Sequence, residues 1–147
     1  MASRTEVISI GYEGTSIGDL ASSLVARGTQ VLIDVRLNAV SRRPGFSKRA
    51  LQSALEEQGI IYVHLRSLGN PKENRDGFRR GDSGAVAAYE SVVDACSEEL
   101  DRIADDLRGS VTAIPCYEAD DSTCHRRVVI DRLGQRIPEL KRSKVTE

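Results

Sequence analysis

The run best equipped for chemistry is Ser122-Thr123-Cys124-His125-Arg126. A helix that starts at Asp121 or Ser122 carries Cys124 in its first turn, where unpaired backbone N–H groups and the helix dipole favour negative charge. A thiol held there ionises more readily than a free one, and His125 and Arg126 add to the effect. Glu118, Asp120 and Asp121 oppose it. This makes Cys124 a candidate nucleophile or redox thiol, with His125 or Glu118 as proton carrier. The competing reading packs Cys124 as a small apolar residue and pairs Arg126 with Glu118 or Asp34. The spacing is not that of a phosphatase loop, in which the arginine follows the cysteine after a longer, glycine-containing arc.

Cys116, Cys124, His125 and His64 offer a second chemistry, since zinc accepts both thiolate and imidazole. Seven residues separate the two cysteines, longer than the usual paired-ligand spacing, and adjacent Cys and His ligands are geometrically awkward. A Cys116–Cys124 redox pair needs only that the two approach closely. The reading carried forward assigns no metal and no cofactor. Asp34, followed by Arg36, is a carboxylate able to orient an arginine or accept a proton; the alternative is a structural ion pair bracing the loop. Arg36, Arg42 and Arg126 are candidate anion holders, with Gly11, Tyr12, Ser41 and Cys116 beside them. Cys96, on an apolar helical stripe, reads as core.

These residues need elements to gather them. Glu6–Ile10, Val31–Val35, Ile60–Val63 and Val111–Ile114 are short apolar or β-branched runs that read as buried strands, and residues 135–140 could add a last one. Ser16 caps a helix over Ile17–Arg27 that Gly28 ends, and Ser47 caps another with Leu51, Ala54 and Leu55 inward, closed by Gly59. One long helix is expected from about Ala85 to Leu107, and another from Asp121 or Ser122 through Leu133. Residues 36–46 and 66–82 read as loops. Alternating strands and helices predict an α/β fold: a mostly parallel sheet of four to five strands with helices on both faces, in three layers. In such a sheet ligands bind beyond the carboxyl ends of the strands. Gly11–Ser16, Asp34–Arg43, His64–Arg75 and Cys116–Arg126 all follow strands, so both histidines and two of the three cysteines fall on that one edge.

Composition sets outer bounds. The 147 residues are 39% hydrophobic and 29% charged, which fits one globular domain over residues 1–147 without repeats or linkers. No apolar run approaches the ~20 residues of a membrane helix, and the first residues resemble neither a signal nor a transit peptide. A cytoplasmic protein without membrane partners is the expectation. Three cysteines argue against a disulfide scaffold. The net charge of −1 gives no global case for nucleic acid. It hides opposed regions: residues 36–49 hold Arg36, Arg42, Arg43, Lys48 and Arg49 without an acid, whereas 90–106 hold seven acids against Arg102. The acidic run reads as a solvated helix face.

The segments IGYEGTS, DVRLNAVSRRPGFSK, LGNPKENR and CYEADDSTCHR, in that order, resemble the pattern of domain-of-unknown-function family 488 over about residues 7–133. Ala39 stands where members of that family usually carry proline. The resemblance implies an α/β fold and a shared polar edge containing Asp34, Arg36, Ser41, Arg42, Cys116, Glu118, Cys124, His125 and Arg126. It implies no settled activity. The functional expectation is an enzyme acting on an anionic substrate: a nucleotide, a nucleic-acid base or a phosphorylated metabolite. A non-catalytic nucleotide- or nucleic-acid-binding module and a thiol redox or metal-binding protein are the alternatives.

Overall fold

The computed structural model describes residues 5–12, 14–37, 45–116 and 125–145. Five strands form one sheet: β1 (Glu6–Gly11), β2 (Val31–Asp34), β3 (Ile61–His64), β4 (Val111–Cys116) and β5 (Lys141–Val145). Their order is β3-β2-β4-β1-β5, and every pairing is parallel. The helices are α1 (Ile17–Ala26), α2 (Lys48–Glu57), α3 (Lys72–Arg80), α4 (Ser83–Asp94), α5 (Ser97–Leu107) and α6 (Arg126–Arg136). Ser16 caps α1 by accepting a hydrogen bond from the Asp19 amide at 3.1 Å.

Strand alternation divides the core in two. Ile8, Ile10, Leu32, Tyr62, Val111 and Ala113 face α1 and α2, where Leu20, Leu24, Leu51 and Leu55 meet them. Val7, Ile33, Val35 and Ile114 face the other way, against Phe78, Tyr89, Val93, Ile103, Val129 and Leu133 of α3 to α6. Thus the crossovers leaving β1 and β2 lie on one face, and those leaving β3 and β4 on the other. β4 lies between β1 and β2, and the helix that follows it, α6, packs on the face opposite the helices that follow both neighbours. In open parallel sheets ligands bind beyond the carboxyl ends of strands whose crossovers diverge in this way.

Three local expectations differ from the structure. The long helix is two: at Ala95 and Cys96 the ladder tightens, with the Cys96 amide donating to the Val93 carbonyl at 2.9 Å. This break lets α4 lie on α3 while α5 lies on α6. Cys96 consequently sits at the start of α5, half-buried at the margin of the core and packed against it, its Sγ 3.6 Å from the Ser67 carbonyl. The expected loop at 66–82 contains a 3-10 turn at Arg66–Leu68 and α3. α3 buries only Phe78, so it carries almost no apolar period; the edge-to-face contact of Phe78 with Tyr89, at 5.7 Å, anchors it. Residues 135–140 finish α6 and turn, and the last strand follows at Lys141–Val145. It is a polar edge strand, as edges exposed to pairing tend to be. The start expected for α6 at Asp121 or Ser122 falls outside the described residues, within which α6 begins at Arg126.

The acidic run is also more than a solvated face. Arg132 of α6 pairs with Glu90 at 3.2 Å and Asp94 at 2.8 Å, and Arg136 with Asp101 at 2.6 Å.

Candidate functional site at the carboxyl edge of the sheet

Asp34 ends β2 fully buried, on the face that carries α1 and α2. A lone carboxylate there would be prohibitively desolvated, and four donors offset the cost. Arg36 supplies three: Nε to Oδ1 at 2.8 Å, Nη2 to Oδ2 at 2.7 Å and its backbone amide to Oδ1 at 3.1 Å. The Tyr62 hydroxyl, from the neighbouring strand β3, donates to Oδ2 at 2.6 Å. Burial by itself would raise the Asp34 pKa; the hydrogen bonds and charge of Arg36, aided by Tyr62, outweigh it and hold the carboxyl below its ordinary value. Burial pulls the other way on Arg36, and Asp34 together with Tyr12 keeps that guanidinium above its ordinary pKa. Burial and the hydrogen bond to Asp34 raise the Tyr62 phenol.

The remaining Arg36 nitrogen, Nη1, donates to the Phe46 carbonyl at 2.7 Å and, at 3.4 Å, to the Tyr12 hydroxyl. Tyr12 and Phe46 stack at 4.4 Å, tying the end of β1 to the entrance of α2. Arg36 therefore braces the connections that leave β1 and β2. Its guanidinium hydrogens are largely committed inside the protein.

Both histidines arrive beside this pair. His64 Nε2 lies 2.7 Å from the Arg36 carbonyl and His125 Nε2 lies 3.1 Å from the Val35 carbonyl. A carbonyl only accepts, so in each neutral ring Nε2 carries the proton and Nδ1 holds the lone pair. Tyr89 meets the His125 ring edge-on at 5.2 Å. Arg126, fully buried, donates from Nε to Ser9 Oγ of β1 at 2.6 Å. The Gly-Asn-Pro run packs behind the same edge. A Cβ on Gly69 would lie 2.6 Å from the Leu37 backbone nitrogen, so only glycine admits this approach.

Gly11, Tyr12, Asp34, Arg36, His125 and Arg126 thus gather at the carboxyl edge. Cys116 ends β4 in register with Gly11. Ser41, Arg42, Glu118 and Cys124 lie outside the described residues. Sequence reasoning omitted Tyr62 and the Phe46 carbonyl as partners of Asp34 and Arg36, and Ser9 as the partner of Arg126. Tyr62 shares a face with Asp34 through the parallel register of β2 and β3, in which Asp34 stands beside His64. Strand parity alone signals that, and only once the strands are known to be neighbours. Among the described residues no group of three or more His, Cys, Asp and Glu is placed to hold a metal ion, and no helix is long and apolar enough to cross a membrane.

The fold and this edge define an α/β protein with parallel strands, helices on both faces, and polar side chains collected where the strand ends open. The chain belongs to the family described as Domain of unknown function DUF488, whose model matches residues 16–133. The match begins beyond the Gly11-Tyr12 turn and ends in α6. No curated protein and no solved structure matches the chain.

Proposed function

We propose that the carboxyl edge is the substrate site of an enzyme acting on an anionic compound: a nucleotide, a nucleic-acid base or a phosphorylated metabolite. The observation that carries this reading is the pair of imidazoles whose Nε2 atoms bond to successive carbonyls of one strand end, Val35 and Arg36. Fixing the tautomer is how a protein prepares a histidine to accept a proton at a chosen atom. In this reading His125 or Glu118 carries the proton and Cys124 is the nucleophile or redox thiol. Arg42 is assigned to the anion, Arg126 is held against Ser9 behind the edge, and Asp34 is a positioning residue that holds Arg36 and, through it, the loop.

A thermal-shift screen of nucleotides, oligonucleotides and phosphorylated metabolites identifies what prefers the native state. Each hit is then assayed for turnover with wild type and Cys124→Ser. The expected result is turnover abolished in Cys124→Ser with affinity nearly unchanged, because a nucleophile acts chiefly in the transition state. A ligand that binds without any turnover would refute the enzyme and leave a binding module.

A further inference from the structure

An open apolar surface lies at the edge of the sheet remote from β5. A cleft of about 410 Å³ is floored by Val31 and Ile33 of β2 and Ile61 and Val63 of β3, and walled by Ile103 and Leu107 of α5. α5 is its only helical lining among the described residues. Ile61 is 60% exposed there, the most open large apolar side chain among the described residues.

β3 also ends the sheet with unpaired backbone groups. The Ile61 amide donates to the Gln30 carbonyl at 3.0 Å and the Leu65 amide to the Asp34 carbonyl at 2.9 Å, so residues of that parity turn toward β2. Alternation turns the Tyr62 and His64 amides and carbonyls outward, where no strand of the described residues meets them. The opposite edge is guarded, since β5 carries Lys141, Arg142 and Lys144. β3 has no lysine, arginine or proline to discourage pairing.

The charged lining of the cleft is Glu99 and Asp106 against Arg102, all on α5. None of the three forms an ion pair with a described residue; Glu99 accepts the Ser67 hydroxyl at 2.6 Å. Glu99 therefore marks the Ser67 end of the cleft, and Asp106, about two helical turns on, marks the other. Arg102 stands between them and balances one acid at most. Glu98 and Asp105, both exposed, extend the acidic surface of the helix. A second copy of this chain would bring its own acidic α5, whereas a basic segment complements this one.

We propose that β3 receives an extended segment of a protein partner as an added strand. The segment carries large apolar residues at alternate positions over the cleft, bounded on the same face by lysine or arginine opposite Glu99 and Asp106. The Tyr62 and His64 backbone groups bind its main chain, and the cleft and α5 select its side chains.

The probe is a capped peptide whose alternate residues are lysine, leucine, leucine and lysine, with threonine between them. It is titrated into the full chain and followed by fluorescence anisotropy and backbone amide NMR. Saturable binding with shifts over residues 61–65 and along α5 is expected, weakening as salt is raised. Ile61→Lys, at a position already open to solvent, should weaken binding about tenfold by removing apolar contact and adding like charge. Arg102→Ala removes the opposing cation and should tighten binding several-fold, a gain that misfolding cannot produce. A peptide with glutamate in place of lysine should bind far more weakly. Methylation of the threonine amides, which face β3 in the added strand, should abolish binding. No binding, equal binding of the two charge types, or undiminished binding of the methylated peptide would each overturn the proposal. So would a dimer of the chain alone in analytical ultracentrifugation that Ile61→Lys dissociates, which would give this edge to a second copy.

Discussion

Asp34→Ala should be among the most damaging single substitutions in this protein. It removes the acceptor of four hydrogen bonds of 2.6 to 3.1 Å and leaves the Arg36 guanidinium with only the Phe46 carbonyl and the more distant Tyr12 hydroxyl. The side chains of the pair are 0% and 9% exposed, so water does not replace what is lost. Removing one partner of a buried pair costs about 3–5 kcal/mol, a large part of the roughly 5–15 kcal/mol that holds a domain together. Replacing both at once, Asp34→Leu with Arg36→Met, leaves no orphaned charge and should cost far less than the sum of the single changes. Urea unfolding followed by circular dichroism reads both effects, provided the slope with denaturant is unchanged. The acid limb adds a check. The folded-state pKa of Asp34 is depressed, so its stabilisation is present above the unfolded value of about 3.9 and is lost as pH falls through the lower folded value. The difference between wild type and Asp34→Ala should therefore shrink below about pH 4. A loss under about 1 kcal/mol at neutral pH, the range of exposed pairs, would refute the account of a dry, bracing ion pair.

The alkaline limb should be governed by Tyr62 and Tyr89. Burial raises both phenols, with the hydrogen bond to Asp34 adding to the first, so the stability they contribute is complete below the ordinary tyrosine pKa of about 10 and is lost as pH climbs toward the folded values. Ultraviolet titration should find these two tyrosines ionising only as the fold is lost, and ionisation in the native state would contradict it. Gly69→Ala must push the Leu37 backbone away, at about 1–3 kcal/mol, and should lower the melting temperature; an unchanged melting point would show that the two loops do not abut as described.

Much of the architecture is written locally. Val31–Ile33 and the run from Val111 to Ile114 carry apolar residues on both faces because they lie inside a parallel sheet, and a run of that kind announces itself without neighbours. Ser16 marks the start of α1 through the hydrogen bond its side chain accepts, and Gly28 the end through a positive φ that glycine favours. α3 and β5 were harder to read: one buries a single phenylalanine and the other is an edge, so neither needs a visible apolar period. Pro71 before α3 and Gly81 after it were the available signals. The break at Ala95–Cys96 has no breaker residue, and it exists because two helices must lie on different partners.

The sequence by itself determined that the chemistry-bearing residues follow strands, and therefore which edge of a parallel sheet they occupy. The strand order, and with it the place of β4 between β1 and β2, was decided only by tertiary structure. So was the fate of Arg36. Its spacing to Asp34 suits a loop brace and an anion holder equally well. What settles how its donors are spent is the arrival of Tyr12, Phe46 and Tyr62 from 24, 10 and 28 residues away from their partners in the chain. Pattern within one element follows from helix and strand period, whereas the satisfaction of a buried charge depends on which distant groups the packed sheet brings to it.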